Sequence, residues 1–208
     1  ERSLNNLNTD FVDLLYLHHC NFGKHDEYFD DAMETVHRFQ DEGKTRFIGL
    51  SDWSSKKIMK FIQRANPDVI QTLRNVYNDT YVHSGLKEYV DTHNLGICFF
   101  SPIKHGLLTG KYDNVALFPD GDFRQTVQEF QDIDFINKMQ KNKALLKKRF
   151  VNHAQPVLHG LLGALLTGCP TGCVLLGLRN KKQVFAANNL GQPLNKVDAG
   201  WVFSLYKK

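Results

Sequence analysis

The sequence is short of several things, and each shortage narrows what the chain can be. It has four cysteines in 208 residues, Cys20, Cys98, Cys169 and Cys173, with no CxxC pair and no paired framework. A disulfide-stapled scaffold is excluded on that count, and a reduced, cytoplasmic setting fits best. No apolar run approaches the roughly 20 residues of a membrane-spanning helix, and no signal peptide opens the chain. No GxGxxG follows any predicted strand, which counts against the usual dinucleotide fingerprint. The charge excess is small, +4 with a pI near 8.8. That suits an anionic ligand and is far from a nucleic-acid signature. The densest basic run, "KNKALLKKRF", carries Leu145 and Leu146 among its charges and reads as a solvated helix face.

What is present is a repeating order of strand and helix. The 42% hydrophobic content can bury a real core, and without a low-complexity linker residues 1–208 read as a single domain. "FVDLLYLH" predicts a strand. It precedes a helix in which Phe29, Ala32, Met33, Val36 and Phe39 share one face, with Gly43 as its stop. "RFIGLS", "PDVIQTL", "GICFFSP" and "GCVLLGL" predict four further strands. Helices lie between them, one opening with Ser54 as N-cap, and a long connection runs from Ile103 to about Val127. The strands are continuous apolar runs, as expected of parallel strands buried on both faces. Such a chain is either a doubly wound sheet or a (β/α) barrel. A closed barrel needs eight strands and typically about 250 residues, so a barrel reading begins partway round. The opening "ERSLNNLNTD", which starts at Glu1 and resembles a helix tail entering a strand, carries the same expectation of missing upstream sequence.

The segment "DLLYLHHCN" poses the chemical question. Side chains alternate along a strand, so His18 and His19 are expected on opposite faces. With Cys20 their directions diverge, and no metal site is expected there.

Four stretches at strand ends, "IGLSDWS", "SPIKHGLLTGKY", "FPDGDFR" and "VLLGLRNKKQV", occur in an order and spacing that resemble the aldo-keto reductases, in the branch similar to voltage-gated potassium channel β subunits. The resemblance covers nearly the whole chain, from the fourth strand of the family's (β/α)8 TIM barrel to the eighth. It implies an α/β fold, an incomplete barrel in the chain as given, that binds NADP(H) at the C-terminal rim without a Rossmann domain.

Residue by residue, the resemblance makes His18 the catalytic histidine. Ser51 and Asp52 match the pair that contacts the nicotinamide carboxamide. The family more often has Asn in place of Asp52, and a carboxylate can accept from the amide but not donate to it. Gln71 matches another carboxamide contact. Arg74 falls where the family has a Tyr stacked on the nicotinamide, and its charge is expected to favour the neutral reduced ring. The backbone from Phe100 through Ser101, Pro102, Ile103, Lys104 and His105 resembles the loop over the pyrophosphate. Lys111 and Arg124 would face the phosphates. Arg179, two residues after Gly177, would grip the 2′-phosphate, with Gln183 on the same helix. The adenine contact falls on Ala187, leaving Asn188 one residue out of register.

The implied activity is NADPH-dependent reduction of a small aldehyde or ketone. The Asp, Tyr and Lys that complete the family's catalytic group belong to its first three strands, outside this sequence. A non-catalytic, NADP(H)-responsive binding or regulatory scaffold is the alternative. No metal, nucleic acid or membrane partner is expected.

Overall fold

The apolar runs become strands and the amphipathic runs become helices in the computed structural model, which describes residues 1–207. In chain order these are α1 (Arg2–Leu7), β1 (Val12–His18), α2 (Phe29–Asp41), β2 (Thr45–Asp52), α3 (Ser55–Ala65), β3 (Val69–Leu73), α4 (Thr80–His83), α5 (Leu86–His93) and β4 (Gly96–Phe100). Three 3-10 turns then occupy the long connection, and α6 (Ile133–Arg149), α7 (Pro156–Leu166), β5 (Gly172–Val174), α8 (Lys181–Ala187) and α9 (Lys196–Tyr206) follow. The strands lie in one sheet in chain order, β1-β2-β3-β4-β5, as helical crossovers between successive parallel strands produce. The chain packs as two compact units, residues 1–73 with 80–98, and residues 74–79 with 99–208.

In the first unit, β1 pairs with β2 and β2 with β3, all parallel. Alternation gives each strand two faces. Ile48, Leu50 and Ile70 point one way and are buried to 2% exposure or less. They form a core with Phe29 and Met33 of α2 and Phe61 and Ile62 of α3. Each such side chain stabilises the fold by about 1.5–3 kcal/mol relative to exposure. Phe22, Phe29 and Phe61 pack ring against ring, with centroids 4.9–5.1 Å apart. Ser54 does cap α3, its Oγ accepting from the Lys57 N–H at 3.3 Å. On the other face the Tyr16 ring covers Gly49, where a Cβ would lie 2.4 Å from a ring carbon.

In the second unit, α7 is apolar all round and accordingly buried, with Leu161, Leu162, Ala164 and Leu165 each at 1% exposure or less. Tyr206, on α9, donates its buried hydroxyl to the Leu108 carbonyl at 2.9 Å. The last strand is shorter than "GCVLLGL" predicts. β5 stops at Val174, and beyond it the Leu175 N–H bonds the Phe99 carbonyl at 2.9 Å. Leu175 and Leu178 stay 48% and 40% exposed among the described residues. Among the described residues no helix is long and apolar enough to cross a membrane.

Candidate active site

The parallel register brings three predicted residues into one row in the first unit. His18 stands opposite Ser51, and Ser51 opposite Gln71. Paired positions on adjacent strands share a face, so an imidazole, a hydroxyl and a carboxamide project together from the C-terminal ends of β1, β2 and β3. Gln71 Nε2 lies 3.5 Å from Ser51 Oγ. His18 is exposed, Gln71 half-buried and Ser51 buried.

Asp52 belongs to the other face, opposite Thr72. Its carboxylate is 4% exposed. Oδ2 accepts the Cys20 N–H at 2.9 Å and Oδ1 accepts the Ser54 N–H at 2.7 Å. Thr72 Oγ1 bonds the Asp52 carbonyl at 3.3 Å and shares a hydrogen bond with Ser55 Oγ at 3.1 Å.

The expectation that His18 and His19 diverge does not hold. Their ring centroids are 4.0 Å apart and the planes inclined by 43°. The strand ends at His18, and His19 adopts a left-handed backbone, φ 68°, so strand alternation no longer governs it. Its N–H bonds the Ser51 carbonyl at 2.8 Å and its Nδ1 faces Asp52 Oδ2 at 3.9 Å. Burial and the neighbouring Asp52 push the Cys20 thiol up to about 12, which disfavours the thiolate.

Arg74 also departs from expectation. It is 3% exposed, and its guanidinium is committed within the second unit. Nε and Nη2 bond Asp79 at 2.7 and 3.2 Å, and Nη1 bonds the Leu165 carbonyl at 2.7 Å and Cys169 Sγ at 3.3 Å. The Phe99 and Phe203 rings flank it. Burial pulls this guanidinium down, but the Asp79 carboxylate outweighs it and holds it above its ordinary range. A side chain so engaged has no face left to stack on a nicotinamide, and selection for the reduced ring by its charge lapses with that role.

The second unit gathers the predicted cations. The loop after β4 turns through left-handed residues, Ser101 (φ 54°), Lys104 (46°), His105 (55°) and Gly106 (86°). Pro102 within it is buried and Ile103 half-buried. The loop is tied at its start, where the Arg74 N–H bonds the Phe100 carbonyl and Asn75 Nδ2 the Ser101 carbonyl. Lys104 pairs with Glu129 at 3.1 Å. The Lys111 side chain lies across Gly106, 3.2 Å from where a Cβ would stand. Arg124 grips Asp122 with Nη2 to Oδ2 at 2.6 Å and Nε to Oδ1 at 3.0 Å, above the Phe118 ring. Arg124, with Arg179 also close enough to act, holds the Asp122 carboxyl down at about 2. Burial, Lys104 and Arg124 lower the His105 imidazole. Arg124 and Arg179 thus both act on Asp122, and Lys104 and Arg124 both act on His105. The Arg179 side chain is exposed, while its N–H bonds Gln183 Oε1 at 2.6 Å. Gly177 and Asn188 are exposed too, and Asn188 closes α8 by bonding the Phe185 carbonyl.

Residues 1–189 match the model of the aldo/keto reductase family. The chain belongs to that family. Aldo-keto reductase yakc [NADP(+)] of Schizosaccharomyces pombe is 25% identical over 156 residues, which are 74% of this chain and 45% of that protein. A "Probable voltage-gated potassium channel subunit beta" of Oryza sativa subsp. japonica is 33% identical over 127 residues, 58% of this chain and 38% of that one. The fold matches the structure of the glycerol dehydrogenase AKR11B4 from Gluconobacter oxydans with a TM-score of 0.78 at 24% identity, covering 98% of this chain and 61% of that chain. The five-stranded α/β sheet is therefore part of an aldo-keto reductase fold, and the chain spans about half the length of the curated relatives it matches.

Two residues to which the resemblance assigned no role, one of them inside "FPDGDFR", set side chains of the second unit. Asn75 accepts the Tyr77 and Asn78 N–H groups on its Oδ1 at 3.1 and 2.8 Å, and Asp122 sets Arg124. Both sit in turn-forming stretches, "RNVYND" and "PDGD", which was the available signal.

Proposed function

We propose that this aldo/keto reductase chain is part of an NADP(H)-dependent oxidoreductase that reduces a small aldehyde or ketone. The observation that carries the reading is the in-register row His18, Ser51 and Gln71. It supplies directional hydrogen-bonding groups of the kind that a carbonyl oxygen and a carboxamide require. The His18 imidazole, with an N–H toward the substrate, donates to the carbonyl oxygen and stabilises negative charge developing there. Ser51 and Gln71 orient the carboxamide, Ser51 as donor or acceptor and Gln71 as either. In the second unit, Arg179, Arg124, Lys104 and Lys111 serve the phosphates, with the backbone of Phe100 to His105 and Gly106 beside them.

The residues present suit a phosphorylated dinucleotide. Four cations stand against two carboxylates, Asp122 paired with Arg124 and Glu129 paired with Lys104, which leaves positive charge in excess, and an exposed guanidinium matches a phosphate bidentately. Arg74, its guanidinium engaged by Asp79, the Leu165 carbonyl and Cys169, does not suit ring stacking. The cofactor, when bound, supplies the hydride. The printed name of the S. pombe relative, which includes NADP(+), supports the choice of nucleotide.

The test is a titration of the chain with NADPH and with NADH, read by nucleotide fluorescence. NADPH is expected to bind more tightly, and Arg179→Ala to weaken NADPH by about tenfold or more, the loss of one charge-assisted contact, while barely moving NADH. Equal binding of both nucleotides by wild type and variant would remove the 2′-phosphate role.

A second reading, a cofactor-responsive regulatory scaffold without turnover, is favoured by the similarity to the potassium-channel subunit of Oryza sativa. NADPH binding with no aldehyde-dependent oxidation in the intact protein would select it.

A further inference from the structure

We infer that Asp52 is a positioning residue, not a carboxamide contact, and that it sets the turn which lays His19 against His18. The inference rests on the reading of His18 as the group that meets the substrate carbonyl, and it reassigns its neighbour on β2.

Three observations carry it. First, register places Asp52 beside Thr72 on the face opposite the row of His18, Ser51 and Gln71. Second, the carboxylate is 4% exposed and both of its oxygens are already taken by backbone donors, Cys20 N–H and Ser54 N–H. A buried carboxylate stripped of such partners is heavily penalised, so it cannot turn outward without loss. Third, those two donors belong to different loops, one after β1 and one after β2. The carboxylate therefore ties the segment that follows His18 to the start of the segment leading into α3.

The consequence reaches His18 through His19. The left-handed residue His19 is held between two tethers, its own N–H on the Ser51 carbonyl and the next N–H on Asp52. Its imidazole, 3.9 Å from the Asp52 oxygen, lies with its centroid 4.0 Å from that of His18. With His19 fixed there, one side of the His18 ring is occupied, which limits the rotations open to it.

Asp52→Asn separates the two roles. The amide keeps one acceptor oxygen but turns an NH2 toward a backbone N–H, so one tether is lost with little change of volume. The expected result is amide exchange at Cys20 or Ser54 faster by about tenfold, the loss of one charge-assisted hydrogen bond. The NOE between the His18 and His19 rings is expected to weaken, with NADPH affinity unchanged within about twofold. A carboxamide contact predicts the reverse, because Asn can both donate and accept. Tighter NADPH binding in Asp52→Asn, with exchange and the ring NOE as in wild type, would overturn the inference. Should wild type bind no NADPH at all, the cofactor reading falls alone, since exchange and the NOE report positioning without any ligand.

Discussion

In the first unit the Asp52 carboxylate is fixed by two backbone N–H groups, whereas in the second Arg124 and Lys104 are held by the side chains of Asp122 and Glu129. Backbone tethers are set by the fold and do not exchange partners. Ion pairs between half-exposed side chains contribute about 0–1 kcal/mol and can release a cation to a better anion. Under the proposed function, the first unit keeps hydrogen-bonding groups in a fixed direction, as a carbonyl needs, and the second keeps charge that can be released to a phosphate. Arg74 is the exception within its own unit, an ion pair 3% exposed on the arginine side and wired to backbone as well.

The largest effect is expected at that exception. Arg74→Ala leaves Asp79 without its partner and the Leu165 carbonyl without its donor, and is expected to lower stability by about 3–5 kcal/mol. Urea unfolding followed by Trp201 fluorescence measures it. A loss below about 1 kcal/mol would return Arg74 to the exchangeable class. Next in size is the cap at the start of α3. Ser54→Ala removes the acceptor for Lys57 N–H and is expected to lower the unfolding free energy by about 1 kcal/mol. Smaller still is Glu129→Gln, which frees Lys104. Its expected effect on stability is under about 0.5 kcal/mol, while NADPH binds somewhat more tightly, and a calorimetric scan beside a fluorescence titration reads both. The smallest effect is with pH. Asp122 is held below its ordinary 3.8, at about 2, first by its hydrogen bonds to Arg124. A depressed carboxyl stabilises the fold above the unfolded value and loses that contribution as pH falls through the folded one. Wild type is therefore expected to lose slightly more stability between pH 4 and 2 than Asp122→Asn, by paired unfolding curves.

What the sequence made legible follows the same division. Apolar runs ending in polar residues located β1 to β4, whereas His18, Ser51 and Gln71 were singled out only by the family resemblance, and the register that puts them in one row became visible in the structure. Ser54 was readable because a hydroxyl ahead of a helical pattern has one common use. His19 was not, since a left-handed non-glycine residue looks like any other in sequence, and alternation pointed the wrong way. Asp52 was read from its motif neighbour Ser51, yet successive strand residues face apart. Arg74 defeated the reading for another reason. Arginine is almost never fully buried unless paired, and its partner Asp79 becomes visible only once the chain has folded. The end of β5 was invisible because an apolar string says nothing of whether a neighbour covers it.

The bend after β4 also constrains what can stand there. Lys104, His105 and Gly106 are three successive left-handed residues, a conformation that puts a side chain's Cβ against the following carbonyl at about 1–2 kcal/mol per residue. Valine, isoleucine or threonine at either of the first two places would straighten the corner or fail to fit it. Variation among descendants of this chain should therefore drift toward asparagine and glycine there.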